Sequence, residues 1–228
     1  MVLYKNTVNK KSIKIAIDSP AGAGAGTQSK LISKHYNLFY LDTGKIYRVL
    51  AYYKIKNPKK FSLTYVKKKI KLIKLSELEN KKLLPNEIGI EASIISKNKE
   101  IRKLVDVIQK QYAYNPPKKY NGSCLDGRDI TYKILPDADF KFFITADIKV
   151  RAKRRYKELK ALNKEIKYTD VLKSIKKRDQ SDYKRKISPL KRTKDSILID
   201  TTNLTIKKCF SMIKNIIDKE LIKNSICS

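Results

Sequence analysis

Ile13-Lys-Ile-Ala-Ile-Asp-Ser-Pro-Ala-Gly-Ala-Gly-Ala-Gly-Thr-Gln28 is the stretch on which the fold turns. Ile13 to Asp18 alternates apolar and polar residues and runs into Ser19-Pro20, the signature of a strand entering a loop. The small residues from Ser19 to Thr27 then open into Gln28 to Tyr36, where Leu31, Ile32, His35 and Tyr36 fall at helical spacing. Leu38 to Leu41 is a short apolar run ending in Asp42-Thr43-Gly44, which reads as a second buried strand. The chain therefore begins strand, glycine loop, helix, strand.

Working outward, Ser123 to Asp126, Phe140 to Thr145 and Ser196 to Asp200 are further short apolar runs closed by polar or turn residues. Helical patterns cover Lys149 to Leu162, Thr169 to Tyr183 and Thr205 to Leu221. Strands alternating with helices predict an α/β fold, a parallel five-stranded sheet covered on both faces. Residues 54–98 break this rhythm: they are Lys-rich, carry Pro58 and Pro85, and have helical patterns at Leu63 to Leu75 and Asn86 to Ser96. They read as an insertion over the sheet's edge within a single domain spanning residues 1–228.

Composition removes several function classes. With 228 residues, 41% of them hydrophobic, the chain can bury a sizeable core. Cys124, Cys209 and Cys227 form no CxxC pair, and His35 is the one histidine, so a Cys/His metal site or a disulfide framework lacks material. No segment approaches about 18 uninterrupted apolar residues, and Met1 to Lys14 has no secretory h-region, which predicts a soluble, cytoplasmic, monomeric chain without a membrane partner. Lys and Arg total 53 against 22 acidic residues, a formal charge of +31. Lysines carry most of this excess and are scattered over the whole chain, which predicts a solvated basic surface rather than a specific nucleic-acid stripe. The nine arginines are the informative cations.

Ligands of parallel sheets bind at the carboxyl ends of the strands, so the loop Ser19, Pro20, Ala21, Gly22, Ala23, Gly24, Ala25, Gly26, Thr27 is the first candidate site. Its small residues let backbone amides approach a phosphate at a helix N-terminus. Against the pattern G-x-x-x-x-G-K-[ST], Ser19 stands for the first Gly, Gly24 fits, and Ala25 stands where the Lys that reaches the β and γ phosphates belongs. Gly22-x-Gly24 with Asp42 about twenty residues on also mimics a dinucleotide-binding fingerprint, in which Asp42 holds a ribose hydroxyl.

Three more stretches bear on that choice: Leu41-Asp-Thr-Gly-Lys-Ile-Tyr-Arg48, Leu125-Asp-Gly-Arg-Asp129 and Arg178-Asp-Gln-Ser-Asp-Tyr-Lys-Arg185. Leu135-Pro-Asp-Ala138, Arg151-x-x-Arg154-Arg155 and Ser188-Pro-Leu190 accompany them in order. Together with the glycine loop they closely resemble bacterial cytidylate kinase along nearly the whole chain.

The resemblance implies a P-loop kinase fold with an acceptor-binding insertion near residues 54–98 and a short lid near residues 150–166. It implies ATP on the loop 19–27, with Mg²⁺ held by Thr27 and, through water, by Asp126. CMP or dCMP is then expected on Thr43, Tyr47, Arg48, Arg102, Arg128, Asp129, Arg178, Asp182 and Arg185. Arg128, Asp129, Arg154, Arg155 and Arg185 are the expected catalytic set. Phosphoryl transfer asks a protein for alignment and for neutralisation of charge on equatorial oxygens, work suited to Arg, backbone amides and Mg²⁺. The insertion is shorter and poorer in strands than the family's. Ala25 leaves open a nucleotide-binding protein with weakened or lost kinase activity; a dinucleotide-dependent oxidoreductase is the more distant alternative.

Overall fold

The computed structural model describes residues 12–161 and 165–226; Cys227, Leu162 and part of the expected lid lie outside them. Five strands, β1 (Ile13–Asp18), β2 (Phe39–Asp42), β3 (Gly122–Gly127), β4 (Phe140–Thr145) and β5 (Ile197–Asp200), form one sheet in the order β2-β3-β1-β4-β5. Every neighbouring pair is parallel. The central strands β1, β3 and β4 are largely buried, which is why they were legible as apolar runs, whereas the edge strand β5 buries only Ile199 among its four residues. Along β1 the side chains alternate: Ile15 and Ile17 enter one core with Phe142, Ile144 and Ile199, whereas Ala16 enters another with Leu41 and Leu125.

The first core is closed by α1 (Ala25–Tyr36) and by α8 (Ile206–Ile226), through Ile32, Cys209, Ile213 and Ile217. The second is closed by α2 (Thr43–Lys56) and α5 (Lys99–Tyr114), through Ile46, Leu50, Ile101 and Val105. Neither α2 nor α5 was separated from its surroundings by periodicity alone. Each starts beside a motif: α2 directly follows Asp42, and α5 is capped by Asn98, whose Oδ1 accepts from the N–H groups of Glu100 and Ile101 at 3.0 Å.

Residues 54–98 hold no strand. After the end of α2 they form three short 3₁₀ turns (Pro58–Lys60, Leu75–Glu79 and Lys81–Leu83), α3 (Leu63–Ile70) and α4 (Asn86–Ile95). Helix α3 stops at Ile70, short of the Leu75 expected from its pattern, because Leu75 opens a separate turn. Val66, Ile70, Leu83, Ile88 and Ile95 pack into the second core, so this segment extends that core outward over α2 and α5. Helices α6 (Ile148–Lys160) and α7 (Tyr168–Lys184) form a hairpin with a small core of Ala152, Leu159, Val171 and Ile175. No helix among the described residues is long and apolar enough to cross a membrane.

Strand order places the site. From central β1 the chain goes to β2 at one side, returns through β3, and later builds β4 and β5 on the other. The crevice at the carboxyl end of β1 is the switch point of the sheet, and the loop after β1 lies in it.

Candidate active site

Gly22 and Gly24 adopt φ +77° and +95°, the left-handed region that a side chain would strain. Gly22 also has no room for one, since a Cβ there would lie 3.0 Å from the carbonyl oxygen of Arg151. These turns curl the loop so that the first-turn N–H groups of α1, which have no intrahelical acceptor, face a cleft of about 590 Å³. Arg151 is a buried strut: its Nε donates to the Ala146 carbonyl (2.8 Å), while its Nη1 donates to the Ala21 carbonyl (3.1 Å) and pairs with Asp179 (2.7 Å). Arg154 lies on the loop from the other side, donating to the Ala23 carbonyl (3.3 Å) and to Oγ1 (2.8 Å) and the carbonyl (2.7 Å) of Thr201. Arg155 reaches across the cleft to the Leu84 carbonyl at 2.8 Å.

Asp182, on α7, organises the opposite end. Its carboxylate lies 2.9 Å from Arg128 Nε, 3.5 Å from Arg185 Nη1 and 3.8 Å from Arg178 Nε. Burial alone would raise its pKa, but the Arg128, Arg178 and Arg185 guanidiniums outweigh it and hold the carboxyl below the usual range. The same crowding bears on the cations: burial and Arg128 push Arg178 down to about 10, and burial with Arg178 and Arg155 pushes Arg48 down to about 9. Positive charge is in excess here, and it is incompletely satisfied. Arg178 Nε, Arg185 Nη2, the Tyr47 hydroxyl and Gln109 Oε1 are buried polar atoms without a hydrogen-bond partner, all on residues that line the cleft. Native structures rarely leave such groups unpaired; ordered water or a ligand in the cleft takes them up.

The other residues at this end are fixed by their own contacts. Arg102 and Asp129 form a buried pair at 2.9 Å, with the Arg102 guanidinium over the Tyr47 ring. Thr43 donates its hydroxyl to the Asp126 carbonyl at 2.7 Å, and Arg48 donates to the Leu83 carbonyl at 2.6 Å. All the residues expected to bind ATP, CMP or Mg²⁺ line this single cleft. Arg151 and Arg192 lie outside it.

Between the two ends, Asp126 and Asp42 are register partners on β3 and β2. A Cβ on Gly26 would sit 3.3 Å from Asp126 Oδ2, so the glycine loop runs directly past this carboxylate. Burial first, then Asp42, hold the Asp126 carboxyl well above the usual range, a state that an arriving cation reverses. Hard oxygen donors in small number, one or two carboxylates and a hydroxyl, are the donor set Mg²⁺ accepts when phosphate and water complete its shell.

Several lining residues were not anticipated. Gln28, Asn86, Ser93, Ser96 and Gln109 face the cleft. Gln109 had one available signal, its position seven residues beyond Arg102 on the same face of α5. Asp18 was missed altogether. Fully buried at the end of β1, it accepts from the N–H groups of Ile130 (2.8 Å) and Thr131 (3.0 Å) and from the Thr131 hydroxyl (2.5 Å). Burial pushes its pKa up to about 6 despite these three donors.

Comparison with known proteins agrees with this geometry. The family model for cytidylate kinase matches residues 15–219. A cytidylate kinase of Clostridium botulinum (strain Okra / Type B1) is 42% identical over 219 residues, covering 91% of this chain and 99% of that protein. One from Mesomycoplasma hyopneumoniae (strain 7448) is 37% identical over 225 residues, covering 92% and 96%. Among solved structures, an uncharacterized protein from Eubacterium ventriosum ATCC 27560 shares the fold with a TM-score of 0.54 at 18% identity, over 90% of this chain and 98% of that one. Nothing in these matches favours a dinucleotide enzyme. With a glycine loop facing an arginine cluster across one cleft, and relatives aligned along nearly its whole length, the chain belongs to the cytidylate kinase family, a group of nucleoside monophosphate kinases.

Proposed function

We propose that this chain transfers the γ-phosphoryl group of ATP to CMP, and to dCMP, by direct in-line displacement. The observation that carries the reading is the opposition of two anion-seeking ends in one cleft: backbone amides of residues 22–27 at one end, and Arg178 Nε and Arg185 Nη2, buried without a hydrogen-bond partner, at the other. One end suits a triphosphate and the other a monophosphate ester, with a span between them that needs no covalent intermediate on the protein.

The loop amides and Arg154 hold the donor phosphates. Arg128 and Arg185, already oriented by Asp182, take the acceptor phosphate. Arg102, Asp129, Thr43 and Tyr47 surround the nucleoside, and Arg155, released from the Leu84 carbonyl, adds charge to the transferring group. Mg²⁺ suits Thr27 and Asp126, where it supplies charge neutralisation on the phosphate oxygens. A site that hydrogen-bonds a base edge leaves its own buried groups unpaired when the wrong base enters, so discrimination among acceptors is large.

A coupled assay with ATP and each monophosphate tests the reading. CMP and dCMP are expected to turn over, AMP and GMP far less, and Arg178→Ala to weaken CMP use with little effect on ATP affinity. Equal rates with CMP and AMP would contradict the acceptor assignment, and near-full activity of Thr27→Ala would take Thr27 out of the metal site.

A further inference from the structure

Asp18 and Ser19 are consecutive residues at the point where β1 becomes the donor loop, and both hold the segment that carries Arg128 and Asp129. The Ser19 N–H donates to the Gly127 carbonyl at 3.1 Å, before that pair. The Asp18 carboxylate accepts from Ile130 and Thr131, after it. Ile130 and Thr131 open a single π-helical turn, Ile130–Ile134, whose leading N–H groups have no acceptor within the turn. Asp18 supplies that acceptor from a strand more than a hundred residues earlier in the chain. The carboxylate has no exposure and touches no part of the cleft surface, so it is not a ligand group.

We propose that Asp18 is a positioning residue that fixes Arg128 and Asp129 for the acceptor and ties their placement to the donor loop. The inference rests on the reading of the cleft as a monophosphate kinase site. Its physical content is that residues 128 and 129 are clamped on both sides by two adjacent residues at the end of β1, the Ser19 N–H before them and the Asp18 carboxylate after them. A small shift of the donor loop is therefore passed to the acceptor pair without an intervening flexible segment. Removing the clamp leaves Arg128 paired with Asp182, but frees the main chain that aims it.

The test compares Asp18→Asn, Thr131→Val and Thr131→Ser with the unaltered protein. Binding of CMP alone and of ATP alone is measured by titration calorimetry, beside KM and kcat. Asp18→Asn keeps the shape but turns one acceptor into a donor facing the Thr131 N–H. It is expected to raise the CMP dissociation constant and KM at least about tenfold and leave the ATP dissociation constant within about twofold. Thr131→Val, which loses only the hydroxyl bond, is expected to shift CMP in the same direction by a smaller factor. Thr131→Ser is expected to restore it. If Asp18→Asn does not fold, the two Thr131 variants carry the test. Unchanged CMP binding in these variants, or equal loss of ATP and CMP affinity, would overturn the proposal while leaving the kinase reading intact. Failure of the unaltered protein to bind any monophosphate would remove the kinase reading itself.

Discussion

Ala25 opens α1 at the place where a lysine ordinarily meets the β and γ phosphates, and it is nearly buried. Lys45, the lysine beside Thr43 and Gly44, is turned to Glu79 at 2.7 Å and does not line the cleft. Arg154 is the guanidinium at the loop, with Nη1 3.9 Å from where a Gly24 Cβ would stand, but its hydrogen bonds hold it on the Ala23 and Thr201 side. Loss of one preorganised donor to developing charge costs about 3–4 kcal/mol, or roughly 10²–10³ in rate. Ala25→Lys is therefore expected to raise kcat by at least about tenfold in steady-state assays, with ATP affinity little changed. A variant no faster than the unaltered protein would mean that another cation already serves the transferring group.

The junction between β1 and the turn Ile130–Ile134 has a thermodynamic signature of its own. Burial pushes the Asp18 carboxyl up to about 6 in the folded protein, well above the ordinary range of an exposed aspartate, so the native protein binds this proton more tightly than the unfolded chain. The stability tied to that proton is present below about pH 4 and lost as pH rises through about 6, an effect of about 3 kcal/mol. In urea unfolding, the stability of the unaltered protein relative to Asp18→Asn should fall by up to that amount between pH 4 and pH 7. A pH-independent difference would mean that Asp18 ionises as it does in water. This junction was invisible in the sequence because its partners are 112 and 113 positions apart and neither residue type is unusual at a strand end or a turn. The strands were legible for the opposite reason: the inner strands are buried enough to force apolar runs, and two of the sheet's strands reach the cleft at their ends, through Asp42 and Asp126. The Arg and Asp positions of the cleft were legible through their spacing in motifs, but the polar residues of the insertion, Asn86, Ser93 and Ser96, lie in α4 or at its C-cap, where the helical pattern reports only which face is buried.

At the scale of the whole molecule, 53 basic residues against 22 acidic ones surround a cleft that receives two anionic substrates. A field of this sign concentrates nucleotides near the surface and is screened within a Debye length, about 8 Å at physiological salt. kcat/KM for ATP and CMP is expected to fall at least about threefold between roughly 50 mM and 500 mM KCl, with kcat changing much less. A salt-independent kcat/KM would confine the useful charge to the arginines inside the cleft. The same surplus bears on β5. Among the described residues it is an edge strand of the sheet, paired with β4 alone, and it leaves Ile197 and Leu198 39% and 45% exposed. An open apolar strand edge is a template for sticking to another chain, and short length and surrounding charge are the usual protections. β5 is only four residues long, and every copy repels every other through its lysines. Colloidal stability is thus borrowed from electrostatics, and it weakens wherever concentrated salt or a polyanion cancels the repulsion that keeps those edges apart.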